Sequence, residues 1–135
     1  MSEMSDYLEN EVIKHIFRTG SFTKPTNLYI GLLTAAPSDA GGGTEVSGGS
    51  YARVANNPAD ANWAATSGTN GTTSNVAAIT FPTPTASWGT VTHFGIYDAA
   101  TAGNLLFHSP LTTSKTINSG DSVSFAAGAL TIVFD

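Results

Sequence analysis

The groups able to move protons or hold metal in this sequence are few. They are three histidines (His15, His93, His108) and, beyond position 25, six acids: Asp39, Glu45, Asp60, Asp98, Asp121 and Asp135. Cysteine is absent, which removes disulfides, iron–sulfur clusters, thiolate zinc sites and Cys nucleophiles. His93 and His108 fall on predicted neighbouring strands, so they can approach each other. A metal site there needs a third ligand, and Asp98, the nearest carboxylate in sequence, falls in a turn away from both. The expectation is therefore no metal and no cofactor. The imidazoles read as half-buried groups bonded to backbone or lying at a subunit seam. His15 comes late in a helical segment, where a cation complements the dipole.

Catalytic patterns are equally sparse. His108-Ser109 has no G-x-S-x-G elbow and no base–orienter set at a fixed spacing. Glycoside hydrolysis needs two carboxylates facing across a cleft, yet all six acids except the C-terminal Asp135 fall in predicted loops or turns. Gly41 to Gly43 is not a phosphate loop, because no Gly-Lys-Ser/Thr and no helical pattern follows. The sequence does not read as an enzyme. Trp63, in a long polar stretch, and Trp88, after a proline-rich turn, are the residues suited to anchoring an interface or stacking on a sugar. A Trp63 folded back over its own core is the alternative.

The elements that position these groups follow from periodicity. Residues 5–19 carry the helical period: Leu8, Val12 and Ile16 recur every fourth residue, widened by Ile13 and Phe17. Ser5 or Asp6 can cap the start, Asp6 with Glu9 resembles a capping box, and Gly20 suits a left-handed C-terminal position. The apolar stripe must bury itself on the domain's own sheet or dock on a neighbouring subunit. Residues 27–34 read as a central strand covered on both faces, or covered on one and used in a contact on the other. Long loops are expected at 35–50 and 56–74, with a short strand at Tyr51–Val54. Further strands are expected at 75–81, 90–97 and 105–108. Residues 112–117 and 122–126 flank Asn118-Ser-Gly-Asp121, which reads as a hairpin with Gly120 at positive φ. In 90–97, strict alternation places Thr92, Phe94 and Ile96 on one face and Val91, His93 and Tyr97 on the other.

The composition agrees with a β-rich domain. Of 135 residues, 41% are hydrophobic and only 11% are charged, against about 25% in typical domains. Gly, Ser, Thr and Ala dominate, which argues against a helical bundle. Residues 1–135 are expected to form a single domain: a mainly β, antiparallel β-sandwich or jelly-roll-like body over 25–135 with one N-terminal α-helix. A net charge of −5, with five scattered basic residues, does not suit nucleic acid. No run approaches the length of a membrane span, and the acidic N-terminus does not read as a secretory signal, so neither membrane nor export is expected.

Longer stretches carry a resemblance. Glu45-Val-Ser-Gly-Gly-Ser-Tyr-Ala-Arg53 resembles an E-V-S-G-x-x-Y-A-R element. Residues 79–98 (ITFPTPTASWGTVTHFGIYD) resemble I-T-F-P-x-A-T-A-x-W-G-x-V-T-H-F-G-I-F-D. Gly103–His108, Leu111–Asp121 and Phe125–Gly128 continue in the same order. From Tyr7 to Ile132 the chain resembles a family of small tailed-phage virion structural proteins commonly labelled tail-fibre proteins. That resemblance implies a non-enzymatic virion component, assembled in a bacterial host cytoplasm. Its partners would be itself, as a homo-oligomer with a trimer as one arrangement, and other virion proteins of the tail or the major capsid protein. Because the chain lacks the repeats that build long fibres, a fibre tip, adaptor or subunit is expected. The alternatives are a capsid cement protein between capsomers and a tip that binds a host-surface glycan. Tyr51, Arg53, Trp63, Glu45 and Asp39 are the expected contact residues, together with the rest of the 39–50 loop.

Overall fold

The computed structural model describes residues 2–66 and 68–134. Strands β1 (Glu3–Met4), β2 (Tyr29–Ala35), β3 (Thr44–Glu45), β4 (Val54–Ala55), β7 (Gly89–Tyr97) and β8 (Leu105–Ile117) make one antiparallel sheet in the order β1-β8-β7-β2-β3. β4 shares the outer edge of β2 with β3. The expectation for the first long strand holds: β2 is paired on both edges, and Ile30 through Leu33 are consecutively buried. Two short ladders, β5 (Thr72–Ser74) with β10 (Thr131–Val133) and β6 (Ile79–Thr80) with β9 (Ser124–Phe125), form the second layer. Ile30, Leu32, Phe94 and Ile96 of the sheet meet Ile79, Phe81, Leu130 and Ile132 in the core between them. The fold is thus mainly β and antiparallel, a sandwich with unequal layers and one helix, as its composition implies.

Several local expectations are corrected. β7 does not alternate strictly, since Val91 joins Phe94 and Ile96 in the core. The pairing is irregular at this point: two steps on β7, Val91 to His93, face five on β8, Lys115 to Pro110. Residues 105–108 are not a short strand but the start of the thirteen-residue β8. The turn at 118–121 forms, with Gly120 at φ +85° and the Asn118 N–H donating to Asp121 Oδ2 at 2.8 Å. Its arms do not pair as a hairpin, however, because β9 pairs with β6 instead. The strand expected over 75–81 shrinks to β6, that at 51–54 becomes β4, and both long loops contain short strands (β3 and β5).

Asn75 explains part of this. It is 1% exposed. Its Nδ2 donates to the carbonyls of Ala77 and Ala126, both at 2.9 Å, and its Oδ1 accepts from the Leu130 N–H at 2.9 Å. One amide side chain thus replaces ladder hydrogen bonds where three chain segments meet.

The helix α1 (Asp6–Phe17) is pinned at its start only. Ser5 is the N-cap and accepts from the Leu8 N–H at 3.2 Å; its hydroxyl donates to the Leu105 carbonyl and its N–H donates to the Leu106 carbonyl. The Asp6–Glu9 box is therefore not the cap. Arg18 ends the helix in extended backbone, and Gly20 is not left-handed. Burial of the whole stripe on its own sheet is also corrected: Leu8 alone in α1 is buried, whereas Ile13, Ile16 and Phe17 are 50%, 63% and 79% exposed.

Candidate functional site

Glu45, Tyr51 and Arg53, expected as contact residues, come together in one network. Arg53 Nε and Nη2 donate to the two Glu45 carboxylate oxygens, each at 2.8 Å, in the bidentate geometry that suits guanidinium. Its Nη1 donates to the carbonyls of Ala99 and Ala102, both at 2.8 Å. The guanidinium carbon lies 3.5 Å from the centroid of the Tyr97 ring, a cation–π contact. Tyr51 donates its hydroxyl to Glu45 Oε2 at 2.8 Å and accepts from the Leu32 N–H at 2.9 Å. The Arg53 side chain is 7% exposed and that of Glu45 25%, so the guanidinium end of the ion pair is shielded from water.

Electrostatics fixes the protonation states. Burial, and beside it Glu45, push the Tyr51 hydroxyl well above its usual range. Tyr97 is raised by burial and by Glu45. For Arg53, burial works against the charge, but the Glu45 hydrogen bonds and charge outweigh it and the net direction is up. These shifts favour neutral phenols and a charged guanidinium, and the network ties chain segments together.

Glycine makes room for it. Gly31 of β2 pairs with Gly95 of β7. A Cβ on Gly31 would come 2.9 Å from Glu45 Oε2 and 3.0 Å from the Tyr97 ring; one on Gly95 would come 2.8 Å from that ring. Neither has positive φ; the glycines are there for close approach, not for backbone freedom.

Trp63 is half-buried against the core, pairs with Asn75 in an isolated bridge, and donates its indole N–H to the Asn56 carbonyl at 3.0 Å. Trp88 is 4% exposed and donates to the Gly49 carbonyl, so it offers no stacking face. Asp39 lies apart from the network: its Oδ1 meets His108 Nε2 at 3.0 Å, and its backbone carbonyl accepts from the Asp6 N–H. Glu3, opposite His108 across β1 and β8, completes a corner in which the ligand atoms of Glu3, Asp39 and His108 lie within 4.8 Å of one another. Asp98 is engaged elsewhere, accepting from the Asn104 N–H and side-chain amide. His93 pairs with the hydroxyl of Thr92 at 2.8 Å.

Sequence reasoning missed Gly31, Gly95, Tyr97 and Asn75 as organising residues. For the glycines the signal was present, because an isolated Gly inside a strand pattern marks close approach. Asn75 gave none, since nothing in an Asn within a polar stretch foretells burial.

Comparison with known proteins adds one match. A family model described as "Podophage GP4 fiber I protein gp80" matches residues 3–133. No curated protein matches the chain.

Proposed function

The chain belongs to the podophage GP4 fiber I protein gp80 family, and from that membership we propose that it is a non-enzymatic structural subunit of a phage tail fibre, built into the virion in symmetric copies. The observation that carries the assembly reading is the free half of α1. Ile13, Ile16 and Phe17 project an apolar surface from a helix whose first turn is tied to β8 and to Asp39. Stripes of this kind mark protein contacts. The occupant assigned here is a second copy of this chain. Two helices laid antiparallel over these exposed halves close the two apolar patches on each other.

The test is the mass of the purified chain by light scattering, for the wild type and for Ile16→Asp with Phe17→Asp, beside quantification of the chain in purified particles. An oligomeric wild type, monomeric variants with unchanged folding, and copies travelling with tails support the reading. A monomeric wild type overturns the self-contact. Copies travelling with heads would replace the fibre role with capsid decoration.

A further inference from the structure

We propose that Glu3, Asp39 and His108 form a binding site for one divalent transition-metal cation of the zinc or manganese class. The ligands come from three separate parts of the chain: β1, the 36–41 loop and β8. Their convergence is therefore a product of the fold and not of local sequence. The His108 side chain is 5% exposed, and Nε2 is the ring atom turned toward both carboxylates, 3.0 Å from Asp39 Oδ1 and 3.8 Å from Glu3 Oε2. Metal bonds of about 2.1 Å to N and O set neighbouring ligands roughly 3.0–3.4 Å apart. Asp39 and His108 already meet that spacing. Glu3, whose side chain is 64% exposed, closes the remaining gap with a small movement of its carboxylate.

Charge supports the same reading. Among the described residues neither carboxylate is paired with a lysine or arginine, yet both approach one nitrogen. A proton on that nitrogen serves one oxygen at a time; a cation serves both. One imidazole with two carboxylates suits zinc or manganese better than calcium, which takes oxygen ligands alone. Water would complete the shell, and the exposure of Asp39 (51%) and Glu3 leaves the site open to an arriving ion. Bound metal would tie the segment before α1 to the 36–41 loop and β8. The site does not depend on the fibre reading.

The test is calorimetric titration of the full chain, freed of metal by chelation and carrying no histidine tag, with zinc chloride and with manganese chloride. A parallel melting series follows the same additions. The expected result is one ion per chain and a raised melting temperature. Glu3→Gln and Asp39→Asn, both at exposed side chains, should each weaken binding by about tenfold or more while leaving the metal-free melt close to wild type. His108→Gln should abolish binding. Absence of binding by the folded wild type overturns the site. So does binding that survives both carboxylate substitutions unchanged, since that places the ion elsewhere.

Discussion

Arg53 lies over the ring of Tyr97, 3.5 Å from its centroid, while its edge is held by both oxygens of Glu45. The side chain thereby joins β3 to the end of β7 and the turn that follows it, which lie far from β3 in sequence. The E-V-S-G-x-x-Y-A-R element, which reads as a contact motif, spends its polar atoms inside the chain. Tyr51 and Glu45 serve the same network, and the two strand glycines give it space.

Arg53→Ala is accordingly expected to destabilise the fold strongly. Removing one partner of a buried pair costs about 3–5 kcal/mol. The lower end applies here, because the Glu45 side chain keeps 25% exposure and can recover some water. Arg53→Lys should recover only part of this, since an ammonium supports neither the bidentate pair nor two carbonyls at once. Arg53→Met combined with Glu45→Met should cost less than the sum of the two single changes. Urea denaturation of these single and double variants checks this; additive losses would show that the pair does not act as a unit.

Gly95→Ala tests the space argument. The backbone there accepts any residue, so the cost is steric: the new Cβ would sit 2.8 Å from the Tyr97 ring and 3.0 Å from Leu105. Overpacking of this kind costs about 1–3 kcal/mol. Tyr97→Leu, which removes the ring, should relieve much of the penalty when combined with Gly95→Ala. A combined loss equal to the sum of the single losses would place the strain elsewhere.

These two sites show what was legible in the sequence. Strands over 27–34 and 90–97 follow from an apolar run and an alternating one, each bounded by turns, and α1 follows from its fourfold spacing. Their partners do not follow. Periodicity gives the face of Ile16 and Phe17 but not whether anything lies opposite. The 118–121 turn is right, yet the pairing of its arms depends on β6, which sits nearly 40 residues upstream in a stretch broken by prolines. Tyr97 alternates correctly as a strand residue. That its ring carries Arg53 depends on how the 98–104 turn folds back, which no local pattern encodes. His108 was placed on its strand, but its partners Asp39 and Glu3 are 69 and 105 positions away, and only the register of β1 on β8 brings Glu3 near.

Acid should weaken the fold through His93. Burial, and after it the charge of His108, hold the His93 imidazole below its ordinary value of 6.5. The folded state therefore favours the neutral ring, and between that depressed value and 6.5 the unfolded chain binds more protons. Stability from this group is fully present above 6.5 and is lost as pH falls through 6.5 toward the folded value. His93→Asn should flatten that slope without changing stability above about pH 7.5. Urea midpoints measured from about pH 8 to pH 5 read the effect. A variant that keeps the full wild-type slope would remove His93 from the account.

Asn75→Ala is expected to destabilise the fold through one buried amide. Asn75→Ala removes the side-chain partner of the buried Leu130 N–H and of the Ala77 carbonyl, while the Ala126 carbonyl keeps the Ala129 N–H at 3.0 Å. Each buried group left unsatisfied costs about 1–3 kcal/mol. With the Leu130 N–H as the buried group left unpaired, about 1–3 kcal/mol is at stake, a sizeable share of the stability of a domain this size. Asn75→Asp separates hydrogen bonding from packing, because it preserves shape and the acceptor facing Leu130 but turns a carboxylate oxygen toward two carbonyls. It should be at least as damaging as alanine near neutral pH and should recover in part as the carboxyl takes up a proton. Hydrogen exchange at the Leu130 amide is the direct measurement: fast exchange in both variants is expected, and protection retained in Asn75→Ala would show that the backbone finds another partner.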